Sequence, residues 1–327
     1  MSLHPAVAAV RNAVRRGLAD LEPGARLLVA CSGGADSLAL ASATVFEGRD
    51  QGWYVVGVTV DHGLQEGSAE RAQRVVGQLA AMGVDETVSA RASVEAPGLG
   101  PEAAARAARY ALLDEVRQRF DAERVLLGHT RDDQAETVLM GLARGSGGRS
   151  VAGMRRAFDH YRRPLLDVSR VDTITACQVE GLAVWDDPHN SDPAFTRARV
   201  RGRVLPVLED ELGPGVAEAL ARTADQLRGD MDLLDAYAEQ ALADASVEAG
   251  LSVEVLSGLA APIRSRVLRA AAVAAGAPSG ETFHQHVVAM DALVTDWHGQ
   301  KWVDLPGHLR ASRRAGVLRF GHSGPTP

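Results

Sequence analysis

Through the first half of the chain, short apolar runs alternate with helical patterns. ARLLVA (25–30) reads as a buried strand and 37–48 as a helix. WYVVGVTVDH (53–62) is the next strand, rich in valine, followed by a helical pattern over 67–82 and a weaker strand, ETVSA (86–90). PEAAARAARYALLDEVRQRF (101–120) predicts a helix with Pro101 in its first turn, where a missing N–H costs nothing. RVLLGH (124–129) predicts a strand and RDDQAETVLMGLAR (131–144) a helix. This β-α alternation predicts an α/β fold, a mostly parallel, doubly wound sheet with helices on both faces. Ligands of such sheets bind beyond the carboxyl ends of the strands. Ser32, Asp61, His62 and His129 all fall at such ends.

The pattern then changes. Residues 145–165 form a Gly/Arg-rich stretch that predicts a loop, and a helix is expected over about 170–181. From about 215 the chain is rich in Ala and Leu, with one long helix or two over 216–248 and helical patterns at 255–275 and 281–295. KWVDLPGHLRASRRAGVLRF predicts short strands joined by Gly turns, and hence a small α+β C-terminal domain. Gly213-Pro214-Gly215 is the expected boundary, giving a first domain at 1–214 and a helical region with a strand-containing domain at 215–327.

Composition narrows the class. At 46% hydrophobic, the chain has no apolar run near ~18 residues, so no membrane helix is expected. The N-terminal stretch MSLHPAVAAVRNAVRRGLAD has arginines inside its apolar pattern, which suits an amphipathic helix better than a signal peptide. Two cysteines, Cys31 and Cys177, form no disulfide framework and no metal cluster, so a reducing cytoplasm is the expected setting. The net charge of -7 argues against a protein coated in nucleic acid but leaves local basic surfaces open.

The chemistry gathers at Cys31-Ser32-Gly33-Gly34-Ala35-Asp36-Ser37, between the first strand and the first α/β helix. A strand, a Gly-rich turn and a helix start make an anion site, because backbone N–H groups and the positive helix end point at the ligand. The loop is neither a Walker A loop nor a dinucleotide fingerprint. With no lysine in it, Mg²⁺ is the natural partner for phosphate charge, and Asp36 is the candidate metal ligand. The plainer reading is a strand-to-helix turn capped by serines.

SGGADS resembles the S-G-G-x-D-S loop of the PP-loop ATP pyrophosphatases. VTVDHGLQ (58–65), PEAAARAARYALL (101–113) and GHTRDDQAETVLMGLARGSG (128–147) resemble blocks of the tRNA(Ile)-lysidine synthetases within that superfamily, and RRPLLDVSR and DDPHNSDPAFTRARVR continue the same order. The resemblance covers roughly residues 25–215, and the C-terminal stretch resembles the family weakly. It implies a ligase that uses ATP and Mg²⁺. ATP adenylates the C2 oxygen of the wobble cytidine in the CAU-anticodon isoleucine tRNA. Free L-lysine then attacks C2, giving lysidine, AMP and pyrophosphate. It leaves a homodimer open.

The resemblance distributes roles residue by residue. Ser32, Gly33, Gly34, Ala35, Asp36, Ser37, Asp61, His62 and His129 are expected around the nucleotide. Arg109 is expected near the departing phosphates, with Arg106 beside the substrate. Asp133 and Glu136, three apart on a helix and so on one face, are expected to receive lysine, with Asp132 adjacent. An acidic helix start opposing the dipole is the plainer reading of the same residues. Arg144, Arg149, Arg155, Arg156, Arg162 and Arg163, and the alternating Arg197, Arg199, Arg201 and Arg203, are candidate contacts to tRNA phosphates. The alternating set shares a face if extended and spreads around if helical. Two family asparagines are replaced, after Phe195 and at the start of the 101–110 helix. A cytidine thiolase, the nearest alternative, depends on clustered cysteines, which this chain lacks.

Overall fold

The structure, a computed structural model, describes residues 3–61, 67–91, 101–145, 147–187 and 192–322, without the side chains of 101–103. His62 therefore lies outside the described residues. The chain folds into two compact units, residues 1–225 and 226–327.

The first unit contains α1 (Pro5–Gly17), β1 (Arg26–Ala30), α2 (Ala35–Gln51), β2 (Tyr54–Asp61), α3 (Ser68–Met82), β3 (Glu86–Arg91), α4 (Pro101–Arg119), β4 (Arg124–Leu127) and α5 (Arg131–Arg144). These are followed by α6 (Gly148–Val151), β5 (Ala157–Phe158), β6 (Tyr161–Arg162), α7 (Arg170–Val179), α8 (Thr196–Arg199) and α9 (Leu205–Leu212). The sheet order is β3-β2-β1-β4-β6-β5, parallel from β3 to β6, with β5 antiparallel at the edge.

Strand β1 is buried on both sides, as its unbroken apolar run requires. Leu27 and Val29 face a core built with α1, α2, α3 and α7, and Leu28 and Ala30 face one that includes Leu113 and Val116 of α4. The chain lays β2 and β3 on one side of β1, then returns to place β4 on the other. The reversal makes the carboxyl ends of β1 and β4 the switch point where such sheets bind ligands. The 31–37 loop follows β1 and Gly128-His129 follows β4.

Two features of the first unit depart from the sequence pattern. The stretch 145–165, expected as a loop, contains the β5–β6 hairpin, each strand two residues long and so too short to show a period. Its Phe158 and Tyr161 rings stack at 4.9 Å, and Tyr110 meets Tyr161 edge-on at the same separation. Residues 196–212 are helical throughout, with one wide turn over Val200–Val204 between α8 and α9. There the N–H of Leu205 reaches the carbonyl of Val200, five residues back. Pro206, with no N–H to give and a ring that crowds the preceding turn, accounts for the widening.

The long helix α10 (Val216–Ala245) begins where the Gly-Pro-Gly boundary was expected, but the two units divide inside it, between Asp225 and Gln226. Its first turns stay with the first unit because Ala217 and Leu220 pack against Ala135, Val200 and Leu205.

The second unit continues with β7 (Ser246–Val247), β8 (Gly250–Ser252), α11 (Val253–Gly258), α12 (Ala261–Ala274), α13 (His284–Thr295), β9 (Val303–Leu305), β10 (Leu309–Arg314) and β11 (Val317–His322). The strands form an antiparallel sheet in the order β7-β8-β11-β10-β9. Leu309, Ala311 and Leu318 turn inward onto Leu256, Leu268, Met290 and Leu293. The helical pattern at 255–275 is split, with α12 restarting at Ala261-Pro262. Among the described residues no helix is long and apolar enough to cross a membrane.

Candidate active site

The loop after β1 is shaped from within. Gly33 has φ +85°, a conformation open to glycine, and a Cβ there would lie 2.8 Å from Val75 Cγ2. The Ser37 hydroxyl is buried. It accepts the Ser32 N–H at 3.1 Å and donates to the Gly34 carbonyl at 2.9 Å, so it holds the turn rather than facing outward. Ser32 is exposed at the mouth of the loop, and Ala35 opens α2 with Asp36 in its first turn. Gly128 closes the other side, where a Cβ would meet the backbone of Asp36 and Ser37 at 3.0 Å. The Trp185 N–H donates to the Gly33 carbonyl at 2.9 Å, and Arg71 lies over the Trp185 ring.

Next to this loop, three carboxylates and three guanidinium groups converge. Asp133 and Glu136 stand one turn apart on α5, and the Glu136 side chain is fully buried. Arg201 reaches both, with Nε 2.7 Å from Glu136 Oε1 and Nη2 3.1 Å from Asp133 Oδ1. Arg170 also reaches both, at 2.7 Å to Asp133 Oδ1 and 3.2 Å to Glu136 Oε1. Its Nε lies 3.6 Å from Asp36 Oδ2. Arg197 Nε is 3.6 Å from Glu136 Oε2. The second oxygen of Asp133 caps α5 by accepting the Thr130 N–H at 2.9 Å. Thr173, one turn after Arg170 on α7, donates to Asp36.

Neighbouring carboxylates here titrate in opposite directions. Burial raises the pKa of Asp36, against the hydrogen bond from Thr173 and the charge of Arg170. Burial also acts on Asp133, but Arg170, His129 and the Thr130 N–H outweigh it and hold that carboxyl below its usual range.

A third feature is a cavity of about 170 Å³ lined by Ala105, Arg106, Arg109, Tyr110 and His129. Arg109 makes no hydrogen bond or ion pair among the described residues. Burial, with Arg106 nearby, draws its pKa below the ordinary arginine value. Arg163 is buried, and its Nε donates to His129 Nδ1 at 3.2 Å. Burial, opposed by Asp133 and reinforced by Arg163, Arg109 and Arg106, lowers His129 to about 3. The imidazole is neutral near pH 7, and because Nδ1 accepts from Arg163 its one proton sits on Nε2. The lining is therefore cationic and donor-rich.

The structure thus brings Ser32, Gly33, Gly34, Ala35, Asp36, Ser37, Arg109, His129, Asp133, Glu136, Arg197 and Arg201 to one end of the sheet. Asp61 ends β2 at the same edge, half-buried. Other expected residues go elsewhere. Asp132 accepts the backbone N–H of Arg170 at 2.8 Å and so fixes the start of α7. Arg144 is exposed at the end of α5, eight residues past Glu136 and hence ~12 Å along the helix. Arg199 turns back onto the carbonyls of Pro193 and Ala194, on the far side from Glu136, because the stretch is helical and not extended. Arg156 is held by Asp167 and Asp225. Sequence reading passed over Arg170, Thr173 and the inward role of Arg163. The signal available was RRPLLDVSR, where Ser169 accepts the Asp172 N–H and so sets Arg170 at the first position of a helix.

Two family profiles match the chain, a PP-loop domain over residues 8–208 and a TilS substrate binding domain over residues 251–319. A tRNA(Ile)-lysidine synthase from Thermobifida fusca is 55% identical over 96% of this chain and 97% of its own length. One from Streptomyces coelicolor is 50% identical over 98% of this chain and 100% of its own. The chain belongs to the tRNA(Ile)-lysidine synthase family. A solved U34-tRNA thiolase from Methanococcus maripaludis, NcsA with its [4Fe-4S] cluster, shares the fold with this family member. It gives a TM-score of 0.57 at 17% identity, over 68% of this chain and 79% of its own.

Proposed function

We propose that this chain joins free L-lysine to C2 of the wobble cytidine in the CAU-anticodon isoleucine tRNA, at the expense of ATP. The observation that carries the reading is the convergence at one switch point of a glycine loop shaped for phosphate and a set of mixed charges, gathered on the buried Asp133 and Glu136, shaped for an amino acid. Family membership supports ATP use and lysidine formation on tRNA(Ile). The N–H groups at the start of α2, with the exposed Ser32 beside them, would hold the phosphates. Asp36 fits Mg²⁺, which takes one or two carboxylates and completes its shell with phosphate oxygens and water. Bound there, Mg²⁺ would neutralise charge on the departing pyrophosphate.

Arg109, cationic and without a carboxylate partner, would sit against phosphate charge in the neighbouring cavity. Lysine offers ammonium groups and a carboxylate, and the cluster offers the complement of both: Asp133 and Glu136 for the ammonium, Arg197 and Arg201 for the carboxylate. The tRNA would engage the second unit through the segment matched by the substrate binding domain. The reading places the reaction in the cytoplasm and leaves a homodimer compatible with it.

The test is incorporation of labelled lysine into a transcript of that tRNA, with ATP and Mg²⁺, beside the Asp36→Ala variant. Incorporation lost in the variant is expected. No incorporation by a folded, ATP-binding chain would refute the reading.

A further inference from the structure

We propose that Arg170 is an internal counter-cation linking the nucleotide half of the site to the amino-acid half, so that each ligand tightens the binding of the other. The proposal rests on the lysine-binding reading above.

One guanidinium here serves three carboxylates from two elements. It bonds Asp133 at 2.7 Å and Glu136 at 3.2 Å on α5, and its Nε faces Asp36 on α2 at 3.6 Å. Its base is fixed: Ser169 caps α7, and the N–H of Arg170 is bonded to Asp132. Thr173 ties the next turn of the same helix to Asp36. The other two arginines do not span the site. Among the described ion pairs, Arg201 meets only Asp133 and Glu136, and Arg197 only Glu136.

The consequence follows from charge. Asp133 and Glu136 are already neutralised by the chain's own cations, so an incoming ammonium must displace a guanidinium from them. Buried carboxylates and cations stay paired, since an unpaired buried charge is costly. Arg170 is the cation with another anion in reach. Phosphates beside Asp36 would enlarge that alternative and loosen its hold on Asp133 and Glu136. Lysine at Asp133 and Glu136 would in turn release Arg170 toward the phosphates. Linkage makes the two effects equal, and couplings of this kind are typically about 5- to 150-fold.

The experiment measures binding of labelled L-lysine by equilibrium dialysis, with and without Mg²⁺ and an ATP analogue whose α,β-bridge cannot be cleaved. In the natural chain the nucleotide analogue should tighten lysine binding by about 5-fold or more. Arg170→Gln should bind lysine more tightly than the natural chain when no nucleotide is present, and the analogue should then change its affinity by less than about twofold. A merely structural arginine would give the opposite, weaker lysine binding with the nucleotide effect kept. Arg201→Gln should alter lysine affinity while keeping the nucleotide effect, because Arg201 makes no ion pair with Asp36 among the described residues and its charge is the weakest of those acting on that carboxylate. Arg170→Lys keeps a charge at the position but cannot span three carboxylates. It should also lose the effect, and it carries the test if the glutamine variant does not fold. A nucleotide effect unchanged in both Arg170 variants, or absent from a natural chain that binds lysine, overturns the proposal alone. Lysine that fails to bind the natural chain under either condition overturns the proposal and the reading beneath it.

Discussion

Replacing Glu136 with alanine tests whether the charge cluster holds the first unit together as well as furnishing its site. The Glu136 side chain is fully buried and accepts three charged hydrogen bonds, from Arg201 at 2.7 and 3.1 Å and from Arg170 at 3.2 Å. Breaking a buried ion pair by removing one partner costs about 3–5 kcal/mol. The lower end applies here, because both arginines keep Asp133 and their side chains are 19% and 28% exposed, so water can solvate part of the orphaned charge. A loss of about 3 kcal/mol in a unit of this size lowers the melting temperature by about 6–12 °C. Thermal unfolding followed by circular dichroism measures it. Arg201→Ala and the double variant complete a cycle, in which the double loss should fall short of the sum of the singles. Arg144→Ala, at an exposed helix end, should stay within about 0.5 kcal/mol of the natural chain. A Glu136→Ala melting shift below about 2 °C, or strictly additive losses, would refute the reasoning and return the cluster to solvated surface charge.

Other consequences are as direct. Gly128→Ala places a methyl 3.0 Å from the backbone of Asp36 and Ser37, so it should cost about 1–3 kcal/mol and weaken ATP binding; unchanged affinity by calorimetry would show that the loop can yield. His129 has a folded pKa of about 3 against an unfolded value near ~6.5, so its contribution to stability is present above the unfolded value and is lost as pH falls through that window. His129→Gln should flatten the decline of stability between those limits, as denaturant titrations at several pH values would show. In the second unit, Arg314 and Arg319 are exposed, and five basic residues stand against Asp304 alone between 297 and 322. Arg314→Glu with Arg319→Glu should weaken tRNA binding about tenfold or more and lower the slope of log affinity against log salt by about two, and equal slopes in filter binding would exclude that face.

The nucleotide-binding half was legible because its signals are local. Strands β1, β2 and β4 are apolar runs with a helical pattern beside each, β3 is a weaker one, and SGGADS lies at the strand-to-helix junction. What escaped was set by distance in the chain or by shortness. Arg170 acquires its meaning from Glu136, 34 residues before it, and from Asp36, farther still. Nothing near it in sequence shows those partners. The β5–β6 hairpin has no room for a period. The alternating arginines were ambiguous because a spacing of two shares a face if the stretch is extended and spreads around if it is helical. The chain takes the helix and widens one turn. The domain boundary marked by glycine and proline is a true start of helix, yet Ala217 and Leu220 carry apolar surface that the first unit covers.

That wide turn acts as a phase adjuster. In a regular α-helix, Val200 and Leu205 would point about 140° apart, given 3.6 residues per turn. Here both are buried in the same small core with Ala135, while Arg197 and Arg201, one turn apart, keep their aim at Glu136. The extra residue in the turn lets a single continuous helix serve two bearings, one for charge and one for oil. Its length is therefore as constrained as its composition. Removing one residue between 200 and 204 would restore an ordinary helix and set the two bearings out of step, so the arginines and the apolar anchor could no longer both be satisfied. Substitutions at those positions act on one contact, whereas a change in count acts on every contact beyond it.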